Sequence, residues 1–386
     1  MIYLDNSATT QLSCEVKEKM VEVMDHYGNP SSRHALGLES KAIVDIAREQ
    51  VGRALGLQRP SPENLIFTSC GSEANNTAIL GVAYAKSQRR ANKIITTDSE
   101  HPSVENVMKK LESDGFDVVR LSTRGGVIDE KEFADALDER TLLVSIMLVN
   151  NETGAAYNAQ RLFAMAKRVS PSIVTHCDAV QGFLKVPFTV RSLGADLISI
   201  SAHKIHGPKG VGALYVSPEI IKQKKIIPYI IGGGQEGGYR SGTENIIGIA
   251  GLGAAAEEEM RNISSNVAKI SALRDKCAAL VLDAGARPNI PSGQRAPHVL
   301  SITLPDIKSE TMLNFLSSKG ICISAGSACS SHSKHMSSTL LGFGLTSNEA
   351  DCTVRISFSR YNCEDEIDNF ASALKEGIDT LIRIKR

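Results

Sequence analysis

The chain has 386 residues, which is enough for two domains with buried cores. Its 43 lysines and arginines balance 43 aspartates and glutamates, so charge favours neither nucleic acid nor an anionic membrane surface as a partner. The opening residues show no basic segment followed by an apolar core, and no apolar run reaches the length of a membrane span. These features predict a cytoplasmic protein that acts on small neutral or zwitterionic molecules.

Strand-like and helix-like stretches alternate between residues 63 and 216. The predicted strands are Asn64–Thr68, Lys93–Thr97, Val118–Leu121, Leu142–Val149, Ile173–Cys177, Asp196–Ile200 and Gly212–Val216. The predicted helices between them are Glu73–Ser87, Ser103–Glu112, Glu130–Leu137 and Ala159–Val169. This alternation predicts an α/β fold with a mostly parallel, seven-stranded sheet covered by helices on both faces. Such sheets bind ligands at the carboxyl ends of their strands.

A second, smaller α/β domain is predicted after this region. The helix-like stretch Ala254–Asp283 leads into it. Its further predicted elements are His298–Leu304, Ser309–Lys319, Ile321–Ser324, Val354–Ser357 and Glu364–Ile384. We therefore expect a large domain over residues 15–255 and a small domain formed by residues 1–14 and 256–386.

Lys204 lies where a predicted strand ends in a glycine-rich loop, in the stretch SISAHKIHGPKGVG (199–212). Ser201 and His203 flank it, and no charge cluster surrounds it. This setting suits a lysine that forms a Schiff base with a carbonyl cofactor. A lysine in a surface loop is the alternative.

Polar residues follow five of the predicted strands and converge on one crevice if those strands share a sheet. They are Gly71, Ser72 and Glu73; Glu100 and His101; Asn150, Asn151 and Glu152; Asp178 and Gln181; and Ser201, His203 and Lys204. Groups from unrelated loops would not coincide in this way, so the pattern predicts an active site.

The chemistry of these groups fits pyridoxal 5'-phosphate (PLP). Gly71 and Ser72 open a predicted helix whose N–H groups and dipole suit a phosphate, although an ordinary serine cap is the alternative. Asp178 suits a protonated pyridine nitrogen. His101 suits stacking on the ring and proton transfer, with a satisfied histidine in a His–Pro turn as the alternative.

The eight cysteines show no CxxC pair, and in a cytosolic chain they are expected to be free thiols. Cys329 lies at the base of a serine-rich stretch, SSHSKHMSS (330–338), which predicts a mobile loop. His332, Lys334 and His335 favour its thiolate, so Cys329 is a candidate nucleophile. An inert surface thiol and a metal site with the two histidines are alternatives, but the spacing is not a standard zinc spacing.

The glycine-rich segment 232–242, GGGQEGGYRSG, is a weaker candidate for a phosphate site. It lacks the strand–turn–helix setting of known phosphate loops, so a flexible loop is the simpler interpretation. Arg240 and Thr243 beside it suit an anion.

Together these motifs resemble the cysteine desulfurases of the NifS/IscS type, in the class V branch of fold-type I PLP enzymes. The resemblance covers nearly the whole chain. It is carried by YLDNSATT (3–10), GNPSSRH (28–34), FTSCGSEANN (67–76), SEH (99–101), VNNETG (149–154), HCDAVQG (176–182), SAHKIHGPKG (201–210), GGGQE (232–236), RSGTEN (240–245), SAGSAC (324–329) and VRISFSR (354–360).

The resemblance implies a role for each site residue. Lys204 would form the Schiff base with the cofactor. The phosphate would be held by Gly71, Ser72, Ser201, His203 and a second subunit's Thr243. The ring would be contacted by Asn150 and Gln181 at its plane and phenolic oxygen, by Asp178 at its nitrogen and by His101 on its face. Asn150 and Arg355 would bind the substrate, with Arg355 holding its carboxylate. Cys329 would take the sulfur of L-cysteine as a persulfide and leave L-alanine.

The resemblance also implies a homodimer, a sulfur-acceptor protein and no intrinsic metal. The acceptor would be an iron–sulfur scaffold or a carrier for tRNA or cofactor thiolation, and Cys329 would be a transient cluster ligand shared with it. Two departures are Gln11, where the family usually has proline, and the end of the chain at Arg386 without a longer scaffold-docking tail. A selenocysteine lyase, an aminotransferase and a non-catalytic cluster-carrying adaptor stay open as alternatives.

Overall fold

The computed structural model describes residues 1–85, 91–325 and 337–381. Its strands are β1 (Ile2–Tyr3), β2 (Leu65–Thr68), β3 (Lys93–Thr97), β4 (Asp117–Leu121), β5 (Thr141–Met147), β6 (Ala155–Ala156), β7 (Val174–Asp178), β8 (Leu197–Ser201), β9 (Gly212–Val216), β10 (Arg287–Pro288), β11 (Gln294–Arg295), β12 (Val299–Thr303), β13 (Ile321–Cys322), β14 (Ser324–Ala325) and β15 (Thr353–Ser357). Its helices are α1 (Cys14–Val23), α2 (Ala35–Ala54), α3 (Gly71–Ala83), α4 (Pro102–Ser113), α5 (Glu130–Ala136), α6 (Ala159–Val169), α7 (Val190–Leu193), α8 (Pro218–Lys222), α9 (Ile246–Asp283), α10 (Ser309–Ser318), α11 (Ser338–Phe343), α12 (Ser347–Asp351) and α13 (Glu364–Thr380).

A seven-stranded sheet in the order β2-β9-β8-β7-β5-β3-β4 forms the centre of the molecule. The strands β4, β3, β5, β7 and β8 run parallel to their neighbours, whereas β9 is antiparallel to both β8 and β2. The predicted α/β fold with a mostly parallel sheet is therefore confirmed. Apart from the edge strand β4, every strand of the sheet is buried along its whole length, as expected for a sheet covered on both faces.

Two hydrophobic cores cover the two faces of this sheet. Successive residues of one strand point to opposite faces, and they fall into different cores. Ile94 packs in one core and Ile95 in the other, and Leu197 and Ile198 divide in the same way. The sheet edge that carries the strand ends is thereby held rigidly between two layers of helices.

A third core forms around an antiparallel sheet in the order β10-β12-β15-β14. The beginning of the chain belongs to it, because β1 pairs with β13 and Leu4 is buried in this core. The long helix α9 starts at Ile246, eight positions before the predicted start at Ala254, and Asn245 caps it. It joins the first core to the third without interruption, so the domain division at residue 255 stays a prediction.

A buried ion pair anchors Glu236 of the glycine-rich segment 232–242. Glu236 and Arg48 face each other through two hydrogen bonds of 2.8 Å, and both side chains are at most 5% exposed. Glu236 also accepts from Phe67 N at 2.7 Å, which ties the segment to β2. The backbone then turns at Gly237 with φ 63°, where a Cβ would meet Pro62 O at 2.9 Å.

Replacing Arg48 with alanine is expected to lower the free energy of unfolding by about 3–5 kcal/mol, because Glu236 would stay buried without its counter-charge. Urea unfolding measures this loss. The matched control is Arg53→Ala, which removes an exposed partner of Glu257 and should cost about 1 kcal/mol or less. Equal losses in the two variants would contradict the importance of the buried pair.

Candidate active site

An open cavity of about 500 Å³ lies at the carboxyl ends of the sheet strands. Among the predicted site residues, its lining includes Gly71, Ser72, His101, Asp178, Gln181, Ser201, His203, Lys204 and Arg355. The sheet register explains the convergence, because Asp178 at the end of β7 pairs with Met147 of β5 and Ser199 of β8. Residues far apart in sequence thus reach one crevice.

Lys204 lies on a short 3-10 turn, Ala202–Lys204, directly after β8. Its Nζ donates to the carbonyl oxygens of Ser7 and Ala8 at 2.7 and 2.8 Å. The same N-terminal segment holds the turn itself, since Thr10 N donates to His203 O at 2.9 Å. The opening motif of the chain therefore orients the lysine.

Gln11 contributes its backbone rather than its side chain. His206 Nδ1 lies 2.8 Å from Gln11 O, while the side chain of Gln11 is exposed. A carbonyl oxygen is present whatever residue occupies the position. This fits the expectation that glutamine in place of proline has a minor effect.

Asp178 is buried and fixed by two hydrogen bonds. Its Oδ2 accepts from Asn75 Nδ2 at 2.7 Å and its Oδ1 from Val180 N at 2.9 Å. Asn75 lies on the inner face of α3 and also donates to Ser103 Oγ at 2.9 Å. Sequence reasoning assigned no role to Asn75, although it stands within the motif FTSCGSEANN.

The N-terminus of α3 forms one end of the cavity. Cys70 at its N-cap makes no side-chain capping bond, so the first N–H groups of the helix stay available to an anion. Gly71 leaves room there, because a Cβ would meet Val180 Cγ2 at 2.7 Å. Ser201 Oγ is buried without a hydrogen-bond partner among the described residues. Burial lowers the pKa of the neighbouring His203 to about 3, so its ring is neutral near neutral pH.

His101 caps α4 and also lines the cavity, while its predicted stacking and proton transfer stay predictions. Its Nδ1 accepts from Ser103 N at 3.1 Å and caps α4, as in a satisfied His–Pro turn. The rest of the ring lines the cavity. Burial holds the pKa of His101 below its usual value; Asp178 opposes the shift and Lys204 adds to it. A neutral ring with Nε2 protonated follows, because Nδ1 is the acceptor.

Arg355 is held at the cavity wall by β15 and by two partners. Its Nη2 pairs with Asp5 Oδ1 at 2.8 Å and its Nη1 donates to Asn151 O at 2.9 Å. Its Nε is buried without a partner among the described residues. Glu152 stands nearby, accepts from Ser337 Oγ at 2.6 Å, and has its pKa raised by burial to about 7.

Among the described residues, two predicted site residues do not line the cavity. Asn150 is fully buried behind it, because its Oδ1 accepts from Glu152 N and Thr153 N at 2.9 Å and its Nδ2 donates to Ser99 O. The predicted ring and substrate contacts of Asn150 stay predictions. Thr243 is exposed and away from the cavity, where its role as a partner subunit's residue stays a prediction.

Cys329 lies outside the described residues, as do His332, Lys334 and His335. The described chain on either side contacts the cavity surroundings: Ser324 Oγ donates to Asp5 Oδ1 at 2.7 Å, and Ser337 lines the cavity. Within residues 1–85, 91–325 and 337–381, no three His, Cys, Asp or Glu side chains are grouped for a metal ion. Over the same residues, no helix has the length and hydropathy to span a membrane.

Glu100 is a cavity residue to which sequence reasoning gave no role. It is fully buried, and its Oε1 accepts from Thr97 Oγ1 and Met147 N at 2.9 Å. Burial raises the pKa of this carboxyl from 4.5 to about 8, and the nearby charge of Asp178 adds to the shift. Near neutral pH Glu100 is therefore mostly protonated.

Because folding raises the pKa of Glu100, the folded chain binds its proton more tightly than the unfolded chain. The free energy of unfolding should therefore fall as pH rises from 4.5 to about 8, by a few kcal/mol from this group. Glu100→Gln should remove that pH dependence, and its stability relative to the parent should rise with pH. Urea unfolding across this range measures it, with exposed Glu49→Gln as the control. A pH-independent difference would contradict the shift.

Comparison with known proteins places these features in a family. The sequence profile of the class-V aminotransferases matches residues 2–370. A protein of Trichormus azollae named cysteine desulfurase is 40% identical over 386 residues, 99% of this chain and 94% of its own. A solved NifS-like protein has a TM-score of 0.91 at 36% identity and covers 98% of this chain and 100% of its own. A structure described as SspA in complex with cysteine has a TM-score of 0.80 at 32% identity. The match covers 94% of this chain and 100% of that structure's chain.

The chain therefore belongs to the class-V aminotransferase family of PLP-dependent enzymes. Within this family, the similarities reported above include a protein named cysteine desulfurase and one named NifS-like. The residues present fit PLP: an uncapped helix N-terminus and the unpartnered Ser201 hydroxyl suit its phosphate, and buried Asp178 suits its ring nitrogen.

Proposed function

We propose that the protein is a cysteine desulfurase, which converts L-cysteine to L-alanine and transfers the sulfur atom to Cys329. In the net reaction the carbon–sulfur bond of the substrate breaks, a carbon–hydrogen bond replaces it, and the Cys329 thiol becomes a persulfide. The observation that carries the proposal is the single cavity in which the Lys204 amine, the Asp178 carboxylate and the N-terminus of α3 meet.

PLP bound in this cavity supplies a carbonyl that condenses with amines and a protonated ring that accepts electrons from the substrate Cα. Asp178 holds the proton on the ring nitrogen, a charge-assisted hydrogen bond worth about 1.5–3 kcal/mol. Asn75 and Val180 keep both carboxylate oxygens in place before the cofactor arrives. Glu100, being mostly protonated, adds little competing negative charge.

Lys204 moves the proton in this proposal. Its amine would remove the proton from the substrate Cα and would later return a proton to carbon. The carbonyl oxygens of Ser7 and Ala8 direct Nζ, since both accept from it. His101, neutral and protonated on Nε2, faces the cavity as the second proton carrier.

Arg355 binds the substrate carboxylate in this proposal. A guanidinium group matches a carboxylate with two parallel hydrogen bonds, which a lysine cannot copy. Its pairing with Asp5 and with Asn151 O fixes the plane of the group, and the buried Nε is a further donor. Glu152 borders the same wall of the cavity and is partly protonated near neutral pH.

Cys329 is the proposed sulfur acceptor, and a thiolate displacement at the substrate sulfur is the proposed step. The chain that carries it leaves the described structure after β14 and re-enters it at Ser337 beside Glu152. Both points adjoin residues that contact Arg355 or line its cavity. Positions at the two ends of the segment thus support delivery of Cys329 to the substrate.

The wider setting is also a proposal. We infer a homodimer in which Thr243 of each chain reaches the phosphate of the other, because Thr243 is exposed and outside its own cavity. We further propose a cytoplasmic enzyme that passes sulfur to an acceptor protein, either an iron–sulfur scaffold or a thiolation carrier.

Incubating the PLP-loaded protein with L-cysteine tests the function, with alanine and protein-bound sulfur as the measured products. Stoichiometric alanine and a persulfide are expected. L-selenocysteine, and L-aspartate with a 2-oxo acid, are the comparison substrates for a lyase and an aminotransferase. Faster turnover of either, or no alanine from L-cysteine, would overturn the proposal.

A further inference from the structure

A second, smaller cavity of about 30 Å³ also borders Lys204. Its wall carries Lys185, which follows β7, Glu259 of α9, His298 before β12 and Arg360 after β15. None of the roles proposed above uses these four side chains. The interior of the protein therefore contains a polar site that the chemistry at Lys204 does not account for.

Each of the four side chains has a buried polar atom without a hydrogen-bond partner among the described residues. These atoms are Lys185 Nζ, Glu259 Oε1, His298 Nδ1 and Arg360 Nε. Arg360 Nε lies 3.1 Å from Glu259 Oε1, but the two are not aligned as a hydrogen bond. The ion pair between Arg360 and Glu259 partly satisfies two of these atoms. Folded proteins pair nearly all their buried polar groups, so the two remaining atoms, Lys185 Nζ and His298 Nδ1, indicate a bound molecule.

Gln181 determines which nitrogen of His298 carries a proton. Ser7 O can only accept, so the end of Gln181 that lies 2.9 Å from it is Nε2. Gln181 Oε1 then faces His298 Nε2 at 3.2 Å, and this nitrogen must donate. Burial lowers the pKa of His298 well below its usual value, so the ring is neutral and Nδ1 presents a lone pair.

The four atoms are two donors and two acceptors. An anion would accept from Lys185 and Arg360 but would face the lone pairs of His298 Nδ1 and Glu259 Oε1. A metal cation would face the two donors. Only a molecule that both donates and accepts satisfies the set, and the volume suits about two waters at roughly 10–15 Å³ each.

The charges around the cavity also favour a neutral guest. Arg360 pairs with Glu258 at 2.6 Å as well as with Glu259, so its charge is compensated. A further cation at the cavity is Lys185. Burial lowers its pKa to about 7, and the positive charge of Lys204 adds to this shift, so Lys185 is only partly charged near neutral pH. Water can accept from Lys185 in its charged form and can donate to its neutral form.

We propose that this cavity binds one or two ordered water molecules, which complete a hydrogen-bond chain from Lys185 through His298 and Gln181 to Ser7 O. The last atom is also the acceptor of Lys204 Nζ at 2.7 Å. Lys185 and His298 are then positioning residues that keep the N–H end of Gln181 toward the active site. The consequence for Gln181 rests on the proposed function, whereas the water site does not.

Nitrogen-15 NMR of the histidines in the full-length protein, without L-cysteine, tests the chain. The His298 signals are assigned by their loss in His298→Gln. The ring should be neutral and protonated on Nε2, and the Nδ1 chemical shift should be that of an unprotonated nitrogen that accepts a hydrogen bond. Lys185→Met, of similar size, should shift that Nδ1 resonance, while exposed Lys222→Met should not. A proton on Nδ1, or no shift in Lys185→Met, would overturn the proposal.

A crystal structure of the unsubstituted protein, soaked in bromide, supplies a second test that does not depend on any variant folding. Density for water within hydrogen-bonding distance of His298 Nδ1 and Lys185 Nζ is expected. An empty cavity, or an anomalous bromide signal inside it, would overturn the proposal. Because neither test measures turnover, failure of the water site is distinguishable from failure of the desulfurase assignment.

Discussion

Lys204→Ala is expected to abolish the covalent attachment of PLP and to lower alanine formation from L-cysteine by about 10³-fold or more. A positioned proton-transfer group alone contributes about 10²–10⁴-fold, and this variant also loses the covalent link. The carbonyl oxygens of Ser7 and Ala8 that hold Nζ cannot replace it, because they cannot act as bases near neutral pH. Borohydride reduction followed by peptide mass spectrometry locates the cofactor, and alanine release measures turnover.

Lys209→Ala is the matched control for this experiment. Lys209 stands in the same loop, but its side chain is exposed and does not line the cavity. Its removal should leave both the cofactor and the rate intact. The assignment fails if borohydride attaches the cofactor to another lysine, or if Lys204→Ala keeps more than about a tenth of the parent rate.

Cys329→Ala is expected to lower alanine formation by about 10³-fold or more, the scale on which the loss of a nucleophile acts. The substrate sulfur then has no thiolate to receive it, although the cofactor stays bound at Lys204. In the parent protein, mass spectrometry after L-cysteine should find one additional sulfur on residue 329. The visible spectrum of the bound cofactor should be nearly the same in both proteins, because the cavity contacts of Lys204 and Asp178 are unchanged.

Cys14→Ala controls for general thiol loss. Cys14 is an exposed free cysteine at the first position of α1, where alanine suits a helix. This variant should keep the parent rate and the persulfide on residue 329. Added sulfur on another cysteine, or full activity of Cys329→Ala, would show that sulfur leaves by a different route.

The local sequence pattern was sufficient to predict most strands of the central sheet. The strands β3 and β9 and the helix α6 begin and end where the sequence predicts. In β9 the reason is a continuous apolar run, as a strand buried on both faces requires, with turn residues at its ends. The predicted strand at residues 321–324 instead divides into β13 and β14. These pair with β1 and β15 in different sheets, a choice made by partners distant in the chain.

The roles of individual polar side chains were less predictable. Asn150 sits in a motif shared with the desulfurase family, yet its side chain satisfies the backbone of its own turn. Asn75 stands in an equally suggestive motif and instead holds Asp178. A motif places a residue near the site, but competition for hydrogen bonds within the fold decides where its side chain points.

By itself the sequence determined the α/β architecture, the lysine-bearing loop and the PLP chemistry, because apolar periodicity and the residues after each strand are local properties. The tertiary structure alone decided that the carbonyl oxygens of Ser7 and Ala8 hold Lys204 Nζ, and that Gln181 lies between Ser7 O and His298 Nε2. It also decided that Glu236 is buried against Arg48. Backbone carbonyls look alike at every position, and contacts across more than a hundred residues leave no periodic trace, so only packing could select these partners.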